Sequence, residues 1–491
     1  MREVRTLENQ DMIYTGQLIY KEIEFTFVFD GKELRLIPSK DKQNEVNEKW
    51  LRIPLPNGAY TFNIPVMEEN CLHGICNETN QKIIFLVKQG SYLTPHGNYM
   101  LGGNYVLSVN VVAYIICKYR RESIDRISFT GPEIDAIHPI NKSFNISLGM
   151  DFEEFNKDGI LSITTKDFAS TTTESQEFIV DNKKATTYFS VWRGVNLKAG
   201  KTPISLNSCL MFEFETTDDY VFILRLWRIA KDFLSYLCYR RNVYLTAVKL
   251  STPHTGGKHE EFATLYVIGE NKSPSMEDIE ERRYIKQEII AGHEGQILTD
   301  IASGELYLRH IPESYDWGRH KNAAKFIMIT AAFEWEFHRN YPGGIKKSDA
   351  TRRAEEDAAN TLQELVDNSS GKLRSIYKFL KRRVKSDSLQ SEIGQIGKDC
   401  SDIMDLFGNH LYSLNKEKLI YSEMGKRLSD QRNHFAHGDL DKDFIDLSLL
   451  DLIFLEYIVY GMQLKYYGID ILKIQNAIND LFHCGIALPL T

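Results

Sequence analysis

Near the end of the chain, the run Gln431-Arg432-Asn433-His434-Phe435-Ala436-His437-Gly438-Asp439 places a guanidinium, an amide and two imidazoles within six residues. Arginine is a permanent cation whose forked donors match phosphate oxygens. Histidine takes or gives a proton near neutrality. Together they can hold and cleave a phosphodiester without a metal, provided a ribose 2′-hydroxyl supplies the nucleophile. On an ideal helix Asn433 and His437 share a face, with Arg432 roughly 140° from His437. Gly438 suits the left-handed position that closes a helix, and a bend there would let Arg432 and His437 converge. The negative end of the helix dipole would favour the protonated form of His437, as a general acid requires. Spacing alone is a weak signal, because a cation and a histidine at a helix end also simply complement the dipole.

The elements that must hold this run are helical. Beyond about residue 316 strand signals vanish, and apolar residues at three- and four-residue intervals predict helices over 321–339, 348–366, 372–384, 390–411, 416–436, 444–467 and 470–482. The breaks fall at Pro342-Gly343-Gly344, Ser369-Ser370-Gly371 and Gly438-Asp439. Residues 1–270 read instead as strands. Ile23 to Phe29 alternates, Asp30-Gly31 offers a turn, and Leu34 to Ile37 resumes. Further strands are expected at 82–87, 105–117, 187–191, 243–250 and 263–268. One helix is expected over about 219–241, with Phe222, Leu226, Ile229, Phe233 and Leu237 on its buried face. The expected fold class is α+β: a β-rich module with a packed helix (1–270), a polar connection (271–315) and an all-α bundle (316–491).

Composition narrows the function classes. The 491 residues are 43% hydrophobic and 26% charged, as in ordinary globular proteins. A formal charge of −8 gives no global attraction for nucleic acid, so RNA contact needs a local basic patch. One exists: Lys372, Arg374, Lys378, Lys381, Arg382, Arg383 and Lys385 occur between Gly371 and Lys385 with no acid, interleaved with Tyr377 and Phe379. That pattern suits backbone neutralisation with stacking, although its apolar stripe could equally pack inward. The seven cysteines are odd in number and scattered, which points to free thiols in a reducing compartment. The start of the chain lacks the apolar run of a signal peptide, and the apolar run Leu449 to Met462 carries Asp451 and Glu456. No membrane span and a cytoplasmic location are therefore expected. Cys71, His73 and Cys76 lack a fourth ligand and zinc-like spacing, so a strand-flanking turn is expected there and no metal. Thr255-Gly256-Gly257-Lys258-His259 lacks the full glycine spacing of a phosphate loop and is read as a plain loop.

The segment Arg432-Asn433-x2-Ala436-His437, in a helical bundle and followed by a long apolar helix, resembles the Arg-x4–6-His signature of the HEPN superfamily of ribonucleases. Within Ala331-Ala332-Phe333-Glu334-Trp335-Glu336, Glu334 matches the acidic residue that an earlier helix of that bundle carries. Gly16-Gln17-Leu18, the run Phe29 to Leu36, His73-Gly74, Ser128-Phe129-Thr130-Gly131 and the passage Phe233 to Leu250 resemble ApeA-type anti-phage proteins. The resemblance implies an abortive-infection endoribonuclease that cuts RNA, with tRNA the expected substrate, once a phage-derived trigger is sensed. It implies a homodimer through the HEPN domain and no cofactor. Arg432 would hold the phosphate, Asn433 orient it, and His437 exchange the proton, with His434 a second titratable group beside the RNA. The alternative is a non-catalytic HEPN module that dimerises or binds nucleotide, attached to a β-rich recognition domain.

Overall fold

The computed structural model describes residues 13–489, apart from 57, 99–103, 119–122, 149–160, 168–170, 196–203, 270–282, 346, 385–386 and 437–443. The side chain of Arg383 is likewise outside what it describes. The chain divides into two compact units, one comprising Met1–Leu234, Asn242–Glu280 and Ala291–Ala302, the other Ser235–Arg241, Glu281–Ile290 and Ser303–Thr491. As expected, the architecture is a β-rich region followed by an all-helical one.

The first unit opens with β1 (Tyr14–Tyr20), β2 (Ile23–Phe29) and β3 (Glu33–Pro38), then a small hairpin of β4 (Arg52–Pro54) and β5 (Tyr60–Phe62). β6 (Cys71–Cys76), β7 (Lys82–Val87), β8 (Thr94–Gly97) and the thirteen-residue β9 (Tyr105–Cys117) follow. Strands β1, β2, β3, β9, β7 and β6 pair in a ring and close a six-stranded barrel. Alternation sets which residues fill it: Ile23, Phe25, Phe27 and Phe29 point inward from β2, with exposed Glu24 and Thr26 between them. The Phe85 ring lies 5.2 Å from Phe27 and 5.0 Å from Phe29. Gly16 on β1 and Gly74 on β6 leave room for Phe27, since a Cβ at either would come within 2.6–2.7 Å of its ring. The stretch Cys71 to Cys76, expected to be a turn, is thus a barrel strand. Its alternation puts buried Cys76 on the face opposite Cys71 and His73, so the three cannot share an ion. Among the described residues no group of His, Cys, Asp and Glu is arranged to hold a metal.

β9 also pairs with β17 (Lys258–Val267), which continues the sheet outward through β16 (Ala247–His254), β10 (Ile124–Thr130), β15 (Ile204–Thr217), β14 (Lys183–Val195) and β13 (Gln176–Val180). A separate hairpin joins β11 (Phe144–Leu148) to β12 (Leu161–Thr165). The Gly256-Gly257 run is the tight turn between β16 and β17, with φ of 77° and 71°. Helix α1 (Tyr220–Cys238) covers part of this sheet, with the Phe222 ring 5.6 Å from Phe214 and Phe233 6.5 Å from Phe189. Within 271–315, read as a connection, the chain forms α2 (Gln287–Ile290) and α3 (Glu294–Ser303). α3 lies against β13: the Thr299 hydroxyl accepts the Ile179 N–H at 3.1 Å, and a Cβ on Gly295 would sit 2.2 Å from the Glu177 carbonyl oxygen. Apolar Ile297, Leu298 and Ile301 carried that signal, which the polar residues around them masked.

The second unit holds nine helices among the described residues from α4 onward. They are α4 (Tyr315–Arg319), α5 (Ala323–Asn340), α6 (Asp349–Asp367), α7 (Gly371–Val384), α8 (Leu389–Asp399), α9 (Ser401–Leu414), α10 (Tyr421–Ala436), α11 (Ser448–Tyr466) and α12 (Ile471–Phe482). The helix expected over 390–411 is two, interrupted where Cys400 adopts φ −124° and ψ 12°. Side-chain caps start several of them: Asn322 accepts the Lys325 N–H at 2.9 Å, Ser348 the Thr351 N–H at 3.2 Å, and Ser388 the Ser391 N–H at 3.2 Å. α11 is the central helix, buried without interruption from Phe454 through Leu464. Its polar residues are internally paired. Asp451 receives a two-pronged bond from Arg427, both arms 2.7 Å, and a third from the Tyr412 hydroxyl. Glu456 pairs with Lys321 and Lys325.

Candidate functional site

The motif helix α10 packs against α5, α8 and α11. Met424, Leu428, Gln431 and Phe435, spaced four, three and four apart, form its buried face. This face fixes the orientation of the remainder: Arg432 is half-buried, and Asn433 and His434 point to solvent. Close approach to α8 depends on small residues. A Cβ on Gly425 would lie 2.8 Å from the Gln390 Cα, and one on Gly397 would lie 2.5 Å from the Tyr421 ring.

The end of α10 is pinned from both sides of residues 437–443. Phe435 packs edge-to-face on Phe326, centroids 5.3 Å apart, and on Phe444 at 5.8 Å. The buried Gln431 side-chain oxygen accepts the Ile445 N–H at 2.8 Å and the Ser448 hydroxyl at 2.9 Å. His437 and Lys385, both named from the sequence, lie outside the described residues.

Arg432 and Glu334 are brought together: the guanidinium donates to the carboxylate of Glu334, from α5. The two side chains are 43% and 28% exposed, so the pair meets solvent. An exposed ion pair of this kind contributes on the order of 0–1 kcal/mol. It holds Arg432 in place while leaving most of the five guanidinium N–H donors for an anion. The choice of Glu334 over Glu336 follows from burial. Glu336 is fully enclosed and accepts the Tyr307 N–H at 3.0 Å, the Gln463 amide at 3.0 Å and Arg339 at 3.1 Å, so it serves the core.

A third carboxyl joins this pair that the sequence reading missed. Glu392, in the first turn of α8, is buried, and its Oε2 has no hydrogen-bond partner. Burial first, and then the charges of Glu334 and Asp387, push its carboxyl up to about 7, against the opposing pull of Arg432. Its signal was present in the pattern. Leu389, Glu392, Ile393 and Ile396 are the i, i+3, i+4, i+7 positions of the buried face of α8, so Glu392 occupies a slot meant for an apolar residue.

The basic helix α7 forms as expected. Lys372, Arg374, Lys378 and Arg382 are exposed on it, and Lys381 is half-buried, donating to the Gln363 amide oxygen. Beyond α7, a cavity of about 850 Å³ lies between Tyr341, Gly344, Lys347, Arg352, Gln395 and Asp399. Its lysine is already neutralised by Glu355 at 2.8 Å and Asp387 at 3.1 Å. Among the described residues no helix is long and apolar enough to cross a membrane. No family model, curated protein or solved structure matches this chain.

Proposed function

We propose that the helical unit is a metal-independent endoribonuclease and that α10 carries its site. The observation that supports this most is the half-exposed Arg432, aligned by Glu334 and set beside solvent-facing Asn433 and His434. An RNA phosphate would compete with Glu334 for the guanidinium at a cost of about 1 kcal/mol or less, which phosphate binding readily offsets. The 2′-oxygen then attacks phosphorus as its proton passes to a base, the bond from phosphorus to the 5′-oxygen breaks, and that oxygen takes up a proton. The products are a 2′,3′-cyclic phosphate and a 5′-hydroxyl. Arg432 stabilises the charge that builds on the phosphoryl oxygens. His437 is the proton carrier in this reading, Asn433 orients the phosphate, and exposed Arg374 and Lys378 of α7 contact the RNA backbone.

The extension to tRNA, to arrest of translation after a phage-derived trigger and to a homodimer through this unit rests on the sequence resemblance. Incubating purified protein with total tRNA and EDTA tests the reading. Discrete fragments with cyclic phosphate ends are expected, and Arg432→Ala and His437→Ala should each abolish them. Retained RNA binding with no cleavage by any form would favour a non-catalytic binding module instead.

A further inference from the structure

Helices α6 and α7 form an antiparallel hairpin, and among the described residues they pack substantially on each other and on no other element. α7 is amphipathic, but α6 covers only one edge of its apolar stripe, the half-buried Tyr377, Lys381 and Val384. Leu373, Ile376 and Leu380 remain 50%, 52% and 42% exposed, and Leu365 on α6 is 40% exposed. Helical geometry puts these on one side of the hairpin. Ala358, Leu362 and Leu365 lie about 70° to one side of the α6 contact line, and Leu373, Ile376 and Leu380 turn the same way from the α7 line. Phosphate backbones do not cover Leu and Ile side chains in this way; another protein surface does.

The charges indicate which surface. α6 carries six acids against two arginines, a net of −4, while α7 carries six cations and no acid, a net of +6. From this self-complementarity we infer that the hairpin docks face to face with the hairpin of a second copy of the chain, making an antiparallel four-helix layer. A two-fold axis along the helices lays α6 of one copy over α7 of the other, acid on base. An axis across the helices would stack like on like and is excluded by repulsion. With the axis along the helices, heights along the hairpin are preserved, so Glu364 comes beside Lys372 and Asp357 beside Arg382. The proposal is independent of the ribonuclease reading, and Arg374 and Lys378, on the opposite side of α7, stay free for RNA.

Sedimentation velocity on the full chain at about 10 µM tests it with two charge-reversed variants, Lys372→Glu/Arg382→Glu and Asp357→Lys/Glu364→Lys. All four positions are exposed, so circular dichroism should match wild type. Each variant alone should have half the wild-type mass, and an equimolar mixture should restore it, because each reversed helix then meets an opposite one. A wild-type chain that sediments as a monomer, variants that keep the wild-type mass, or a mixture that fails to reassociate would each overturn the proposal. If the variants keep their mass but lose retention of a single-stranded RNA in a native gel, the face belongs to RNA and the proposal is likewise overturned.

Discussion

Replacing Glu392 with glutamine isolates the charge of the one buried carboxyl beside Arg432 without changing side-chain volume. In the folded protein this carboxyl titrates at about 7, against 4.5 for the ordinary side chain. At ~1.4 kcal/mol per pH unit, the folded chain holds this proton more tightly than the unfolded chain by about 3 kcal/mol. The sign follows from linkage. Because the folded value is raised, the stabilisation is complete below pH 4.5, declines as pH rises, and is gone above about pH 7. Glutamine does not titrate, so the variant should match wild type near pH 5 and exceed it at pH 8 by up to about 3 kcal/mol. For a unit of this size that corresponds to roughly 6–12 °C in the melting midpoint. Urea titrations followed by the helical circular-dichroism signal at pH 5 and pH 8 measure the difference directly. An offset equal at both pH values would refute the reasoning, since it would mean that Glu392 does not change charge between them. The same titration bears on Arg432, which faces two carboxylates above pH 7 and only Glu334 below it; RNA affinity should therefore fall more steeply with pH in wild type than in Glu392→Gln.

Two glycines of the α8–α10 pair should respond with opposite signs. Gly425→Ala places a Cβ 2.8 Å from the Gln390 Cα and should cost about 1–3 kcal/mol in urea unfolding, whereas Gly394→Ala meets nothing within 4 Å and should stabilise α8 by up to about 1 kcal/mol. Arg427→Ala leaves the fully buried Asp451 without its cation and should destabilise the helical unit by about 3–5 kcal/mol in the same assay. Arg432→Ala removes only a half-exposed pair, so stability should change by about 1 kcal/mol or less while RNA cleavage is lost.

Most of the architecture was legible because the two hydrophobic periods differ. Strict alternation marked β2, and β7 and β9 begin and end where expected. Three- and four-residue spacing marked α5, α6, α7, α11 and α12. Reading failed where a residue's job contradicts its local type. Gly74 and His73 suggested a turn, yet Gly74 is in β6 because Phe27 needs the space a side chain would fill. The polar residues between 271 and 315 suggested a connection, although Ile297 and Leu298 bury α3. The break at Cys400 left no glycine or proline to announce it. For the site, the local motif exposed Arg432 and Asn433, whereas Glu334 lies 98 positions away and came only by resemblance. Glu392 was invisible to motif reading and discernible only as a carboxyl in an apolar slot.

The account stands most directly on whether Arg432 acts on a phosphodiester. End-labelled RNA incubated with the full-length protein in EDTA, alongside Arg432→Ala of matched folding, measures this. The account predicts cyclic-phosphate fragments from wild type and none from the variant. Equal fragment yields from the two proteins would contradict it.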